Sequence, residues 1–300
     1  MWRMVSLKLI RDPVVANQFY PGDKQTLINQ IKECFLDSRG IGKLPKIKKG
    51  GKKIIGVVVP HAGFIYSGAI ASHSYSYLAE NGFADTFIIL GPNHSGRGSG
   101  VSIMTEGTWK TPLGEVPINS KVANKLYTGI IDKDEMAHSY EHSIEVQLPF
   151  LQFVANEKKF DFIPICLMMQ DYETSSEIGT ILADVIKKSK ENIVIVASSD
   201  FSHAGFNYTS MPPPGMKVEE YAEQQDKLAI SKILNLDPEG LISTVYQNNI
   251  TMCGYGPVSS MIVAAKKLGA RKVELLKYGT SCDVYPSSSC VGYGAIVVYQ

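Results

Sequence analysis

Neither sign of charge dominates this sequence: 30 lysines and arginines stand against 29 aspartates and glutamates, a formal net charge of +1. That balance offers no electrostatic footprint for nucleic acid or an anionic membrane, and it leaves a small molecule, a peptide or another protein as the expected partner. No apolar run approaches the ~20 residues that span a bilayer, and the opening MWRMVSLKLIRDP holds too short an apolar stretch for a signal peptide. A disulfide framework is missing too. The five cysteines, Cys34, Cys166, Cys253, Cys282 and Cys290, are odd in number and show no CxxC or zinc-finger spacing. Together these absences predict a cytoplasmic protein in a reducing compartment.

Histidine is scarce, six in 300 residues, and three of the six end apolar runs. Ile54 to Pro60 leads into His61-Ala62-Gly63, Thr86 to Leu90 into Gly91-Pro92-Asn93-His94, and Ile193 to Ala197 into Ser198-Ser199-Asp200-Phe201-Ser202-His203. A buried strand that stops at an imidazole places a metal ligand or an acid/base at a strand end.

Around these runs the spacing predicts helices over Lys24 to Leu36, with Asp23 as N-cap, Ser67 to Leu78, Ser120 to Tyr127, Ser176 to Lys188, Val218 to Leu234, Pro238 to Gln247 and Val258 to Leu268. Further strands are expected at Val101 to Met104, Phe160 to Leu167, Val273 to Tyr278 and Ala295 to Tyr299. Gly40 to Lys53 reads as an exposed connection, Trp109 to Pro117 as an irregular turn, and Pro212 to Gly215 as part of a lid or rim loop. His138 to Phe153 turns from polar to apolar as a helix would, with Pro149 expected to kink or break it. No repeat or linker divides the chain. Strands alternating with helices imply a single α/β domain over residues 1–300, with a mixed, largely parallel sheet flanked by helices. Ligands of such sheets gather outside the carboxyl ends of the strands.

Strands lie about 4.8 Å apart, so imidazoles at neighbouring ends can converge on one ion with ligand distances near 2.1 Å. Cys253 sits just before a predicted helix, where the dipole favours thiolate, and thiolate with imidazole suits copper, zinc or iron. Asp200, near His203, can orient an imidazole or move a proton. His73 carries no partner motif and is assigned to packing or surface. His138-Ser139-Tyr140-Glu141-His142 matches the H-x-x-E-H pattern of zinc peptidases, but the pattern needs a helix, which Pro149 and the polar start disfavour.

PHAGFIYSG from Pro60, LGPNH ending at His94, EHSIEVQLPFL from Glu141, SSDFSH from Ser198 and the Cys253-Gly254 turn, with NQFYPGD near the start, resemble in their order the motifs of the Memo family. The resemblance spans nearly the whole chain. It implies a fold like that of class III extradiol dioxygenases, whose members hold Fe(II) with two histidines and a glutamate. Carried over by motif, His61 and His94 take the histidine-ligand positions, Cys253 stands where the glutamate would be, and His203, beside Asp200, takes the acid/base position. Glu141 and His142 are implied as pocket wall. The cofactor so implied is iron or copper, with zinc also compatible, and the softer, oxidisable thiolate favours copper. Two functions follow as expectations: a metal-dependent oxidoreductase using O₂ on an unnamed substrate, or a non-catalytic peptide- or protein-binding module using the same cleft.

Overall fold

The computed structural model describes residues 9–208 and 210–300. The stretch judged too short for a signal peptide lies, over residues 1–8, outside them. The first strand, β1 (Ile10–Arg11), is followed by α1 (Lys24–Leu36), whose N-cap Asp23 accepts from Thr26 N as expected. Next come β2 (Ile54–Val59), α2 (Phe64–Glu80), β3 (Thr86–Pro92), β4 (Val101–Ile103), β5 (Thr108–Thr111), β6 (Gly114–Pro117), α3 (Ser120–Leu126) and β7 (Asp132–Lys133). After a 3₁₀ turn at Met136–His138 the chain continues through α4 (Gln147–Ala155), β8 (Asp161–Leu167), α5 (Tyr172–Lys188), β9 (Ile193–Ser198) and β10 (His203–Gly205). It closes with α6 (Val218–Leu234), α7 (Pro238–Gln247), α8 (Tyr255–Lys267), β11 (Lys272–Thr280) and β12 (Ser289–Tyr299).

Among the described residues nine strands form one mixed sheet in the order β10-β12-β2-β9-β3-β8-β4-β7, with β11 also paired to β12. Its centre, β2-β9-β3-β8, is parallel and is bordered by antiparallel β12 and β4. Every residue of β2, β3 and β9 is buried, as befits strands covered on both faces. The three histidine-bearing strands are therefore immediate neighbours. Among the described residues no helix is long and apolar enough to cross a membrane.

Several boundaries differ from expectation, each for a local reason. Trp109 to Pro117 is not an irregular turn but the β5/β6 hairpin, which β1 extends to a small three-stranded sheet. Trp109 is fully buried there beneath the Arg11 guanidinium, 4.0 Å from the ring centroid. Pro149 neither kinks nor breaks a helix, because α4 starts only at Gln147 and leaves the proline in its first turn, where a missing N–H costs nothing. His138 belongs to the 3₁₀ turn and His142 to no helix, so H-x-x-E-H lacks the helical face that two zinc-binding histidines need. Helices α2 and α8 start at Phe64 and Tyr255, three residues earlier than the spacing suggested. An Asp171 cap, accepting from Thr174 N, starts α5 at Tyr172 rather than Ser176.

Strand β12 begins at Ser289, six residues before the expected Ala295. Gly292 and Gly294 disguise it. A Cβ at Gly292 would come within 1.8 Å of Asp226 Oδ2, and one at Gly294 within 2.6 Å of the Phe201 ring, so both glycines serve close approach rather than a turn.

Candidate functional site

The end of β2 delivers His61, β3 delivers His94 two residues beyond its last, and β9 leads through Asp200 to His203. Cys253 arrives from the opposite direction, in the turn before α8. That turn is tied down at several points. The Cys253 N–H donates to Asp200 O (3.2 Å), Gly254 N–H to Ser199 Oγ (3.0 Å), and Gln170 bridges it by donating to Cys253 O (3.0 Å) and accepting from Gly256 N (2.9 Å). One ligand atom from each of His61, His94 and Cys253 lies within 4.8 Å of the others. The same spacing holds for Asp200, His203 and Cys253, and for His94, Glu141 and His142.

Hydrogen bonds fix which imidazole nitrogen faces inward. Ser198 Oγ spends its hydrogen on Ser143 O (2.7 Å), so it must accept from His61 Nδ1 at 3.0 Å. His61 Nε2 is left with its lone pair, buried and without a partner. His94 Nδ1 meets the buried Glu141 carboxylate at 3.0 Å, which turns its Nε2 away from that contact. The same carboxylate accepts from the backbone N–H groups of His94, His142 and Ser143. At His203, Nδ1 lies 3.0 Å from Phe201 O and 3.2 Å from Thr251 O. Two carbonyls require a hydrogen on Nδ1, so the free lone pair is on Nε2, 3.8 Å from the Cys253 sulfur.

Burial, with the neighbouring imidazoles adding to it, drives the His61 pKa well below the ordinary range and keeps the ring neutral. Burial alone would raise the Glu141 carboxyl, but hydrogen bonds and charge from His94, with His142 and Ser143, bring it down to about 2. His94 moves up in return, the Glu141 contact outweighing desolvation. Cys253 differs from expectation. Burial and the Asp200 carboxylate hold its thiol well above the ordinary value, overriding the helix dipole expected to favour thiolate. Asp200 is raised by its own burial.

These groups line a cavity of about 520 Å³ whose walls include His61, His94, His142, Asp200, His203 and Cys253. A larger groove beside α1 and α4, about 940 Å³, contains no histidine or cysteine. Two expected roles shift. Glu141 is not a wall but stands behind His94 and His142. Asp200 takes the His61 backbone N–H at 2.7 Å rather than a hydrogen bond from the His203 imidazole. Pro212 to Gly215 do not line the cavity; Asn207 and Tyr208 do, and with Phe206 they also line an adjoining pocket that shares His94, His203 and Cys253 with it. Much of the remaining wall went unseen in the sequence: Phe19, Tyr66, Tyr293 and the segment containing Ser281, Tyr285, Ser287 and Ser289. Their shared signal is weak, tyrosine and serine in loops. His73 packs as expected, its Nε2 at 2.9 Å from Arg39 O.

Fold and site together define an α/β protein with a mixed sheet flanked by helices, consistent with a class III extradiol dioxygenase-like fold, whose parallel strands present a histidine and cysteine cluster at their carboxyl ends. The chain belongs to the Memo family, whose model, described as "Memo-like protein", matches residues 11–297. It is 46% identical over 290 residues to a MEMO1 family protein of Methanopyrus kandleri, covering 96% of this chain and 98% of that one. A MEMO1 family protein of Methanococcus maripaludis strain C5 is 47% identical over 294 residues, covering 96% and 99%. An uncharacterized protein of Escherichia coli K12, 14% identical, superposes with a TM-score of 0.52 over 81% of this chain and 99% of its own, a likeness of fold alone.

Proposed function

We propose that the cleft is a mononuclear metal site held by His61, His94 and Cys253, serving a metal-dependent oxidoreductase. The observation that carries this reading is His61 Nε2, a buried lone pair with no partner among the described residues, close to two other soft or borderline donors. An unpaired buried nitrogen costs about 1–3 kcal/mol, a cost that a bound ion would remove. Two imidazoles and a thiolate suit copper or iron, with zinc also compatible. A redox-active ion there supplies one-electron chemistry with dioxygen.

The chain's own residues supply the rest. Glu141 orients His94 in the way carboxylates steady metal-binding imidazoles. His203, anchored through Nδ1, offers Nε2 to take a proton from a substrate in the cleft. Asp200, with its raised carboxyl, is placed to hold a proton beside Cys253. Cys253 must release its own proton to bind, so metal affinity rises with pH.

Metal analysis of untagged protein after anaerobic loading with Fe(II) or Cu(I) tests the assignment. Wild type is expected to retain about one ion per chain, and the His61→Ala/Cys253→Ser double variant less than about a tenth of that. Equal, low metal in both ends the reading. In the same experiment His203→Ala retains its metal; loss as severe as in the double variant would shift the ligand set to Asp200, His203 and Cys253.

A second reading, a non-catalytic peptide-binding module in the same cleft, draws on the apolar rings at its mouth, Phe206 at 79% and Tyr285 at 62% exposure. It predicts peptide binding that is indifferent to a chelator.

A further inference from the structure

Two cysteines outside the metal-ligand set meet at the base of the loop that forms one wall of the cleft. The β11/β12 pairing ends at Thr280 opposite Gly292. Carried two residues further, the same register sets Cys282 against Cys290. The chain at Ser281–Asp283 turns instead into a 3₁₀ helix, and Cys282 still packs against the cluster that holds Cys290. The Cys282 thiol donates to Ser289 O, the carbonyl just before Cys290, at 3.6 Å, and Val291 N–H donates to Ser281 Oγ at 2.9 Å. Both sulfurs pack in one small apolar cluster with Ala204, Val218 and Ala222. Cys290 is fully buried and Cys282 partly exposed, and both are free thiols. A disulfide bridges Cα atoms about 4.4–6.8 Å apart, a span open to side chains that share one cluster just past the end of an antiparallel ladder.

We propose that Cys282 and Cys290 form a second reactive site, a dithiol that hydroperoxides oxidise to a disulfide across the base of the 283–289 loop. The accessible Cys282 sulfur attacks the peroxide oxygen, the O–O bond breaks, and one water or alcohol leaves as Cys282 becomes a sulfenic acid. The Cys290 sulfur then attacks the Cys282 sulfur. The S–S bond forms, the S–O bond breaks, and the hydroxyl leaves as water with the Cys290 proton. Two thiols give up two electrons and one hydroperoxide accepts them. Burial and the neighbouring sulfur push the Cys282 thiol up to about 12, so little of it is thiolate near neutral pH and the reaction speeds up as pH rises. The loop it would close contains Tyr285 and Ser287, both on the cleft wall.

Trypsin reads this directly, because Tyr278 to Gln300 contains both cysteines and neither lysine nor arginine. Reduced protein, first stripped of any metal with a chelator, is titrated at pH 8.5 with hydrogen peroxide until Cys253 no longer takes a maleimide label, then unfolded, labelled and digested. The expected product is a Tyr278–Gln300 peptide lighter by two hydrogens, carrying no label and regaining both after dithiothreitol. In Cys282→Ser, Cys290 keeps its label. Two retained labels in wild type, an oxidation that dithiothreitol does not reverse, or linkage of either cysteine to another peptide would overturn the proposal. So would equal loss of the Cys290 label in Cys282→Ser. None of these outcomes depends on whether the cleft holds a metal.

Discussion

His61 and His138 are both buried, and each has at least one ring nitrogen with no partner among the described residues, yet they sit in opposite kinds of surroundings. Around His61, the donors of His94 and Cys253 converge and a cavity opens. Around His138, the Trp109 ring stands 5.8 Å away, Arg11 donates to its carbonyl at 2.7 Å, and the ring is not part of the histidine and cysteine cleft. One orphan imidazole faces space that an ion can fill; the other faces packed core. An unpaired buried nitrogen is thus no sign of a site until other donors share its space.

Substitution gives the sharpest contrast. His61→Ala is expected to weaken metal binding by about 100-fold or more, and His138→Leu to leave it within about twofold, as read by competitive chelator titration. Equal effects would erase the distinction. A smaller loss, about 10- to 100-fold, is expected from Glu141→Gln, which keeps the shape behind His94 but removes the charge that orients it; unchanged affinity would make that carboxylate purely structural. The weakest effect concerns acid. Burial, then Arg11, holds the His138 pKa near about 3 against an ordinary 6.5, so the unfolded chain binds the extra proton first. Stability is full above about pH 6.5 and falls, on this account, by up to about 1.4 kcal/mol per pH unit as pH drops toward 3. Denaturant melts of His138→Leu from pH 7 to 4 should show a shallower decline than wild type, and parallel curves would assign acid sensitivity elsewhere.

The sheet's centre was legible because apolar runs buried on both faces announce themselves, and β2, β9 and β3 prove to be adjacent. Helix α1 matches to the residue since Asp23 marks its start. Where glycine or proline serves packing, the reading failed. Gly292 and Gly294 disguise half of β12, and Pro149, which in the sequence suggests a kink or a break, sits in the first turn of α4. Within the cleft, the strand-end histidines and Cys253 were visible as motifs. Phe19, Tyr66 and Tyr285 were not, because loop placement depends on contacts with distant segments. The role of Glu141 as the partner of His94 depends likewise on two segments that only folding brings together.

Asp200 joins two of the proposed ligands without being one. Its carboxylate takes the His61 amide and its carbonyl takes the Cys253 amide, so a single residue spaces an imidazole and a thiol that come from opposite sides of the cleft. Such a crossbar acts as a gauge. The gap between nitrogen and sulfur is then set by one buried residue, its side chain on one ligand and its carbonyl on the other, and an ion would be sorted by its fit to that gap.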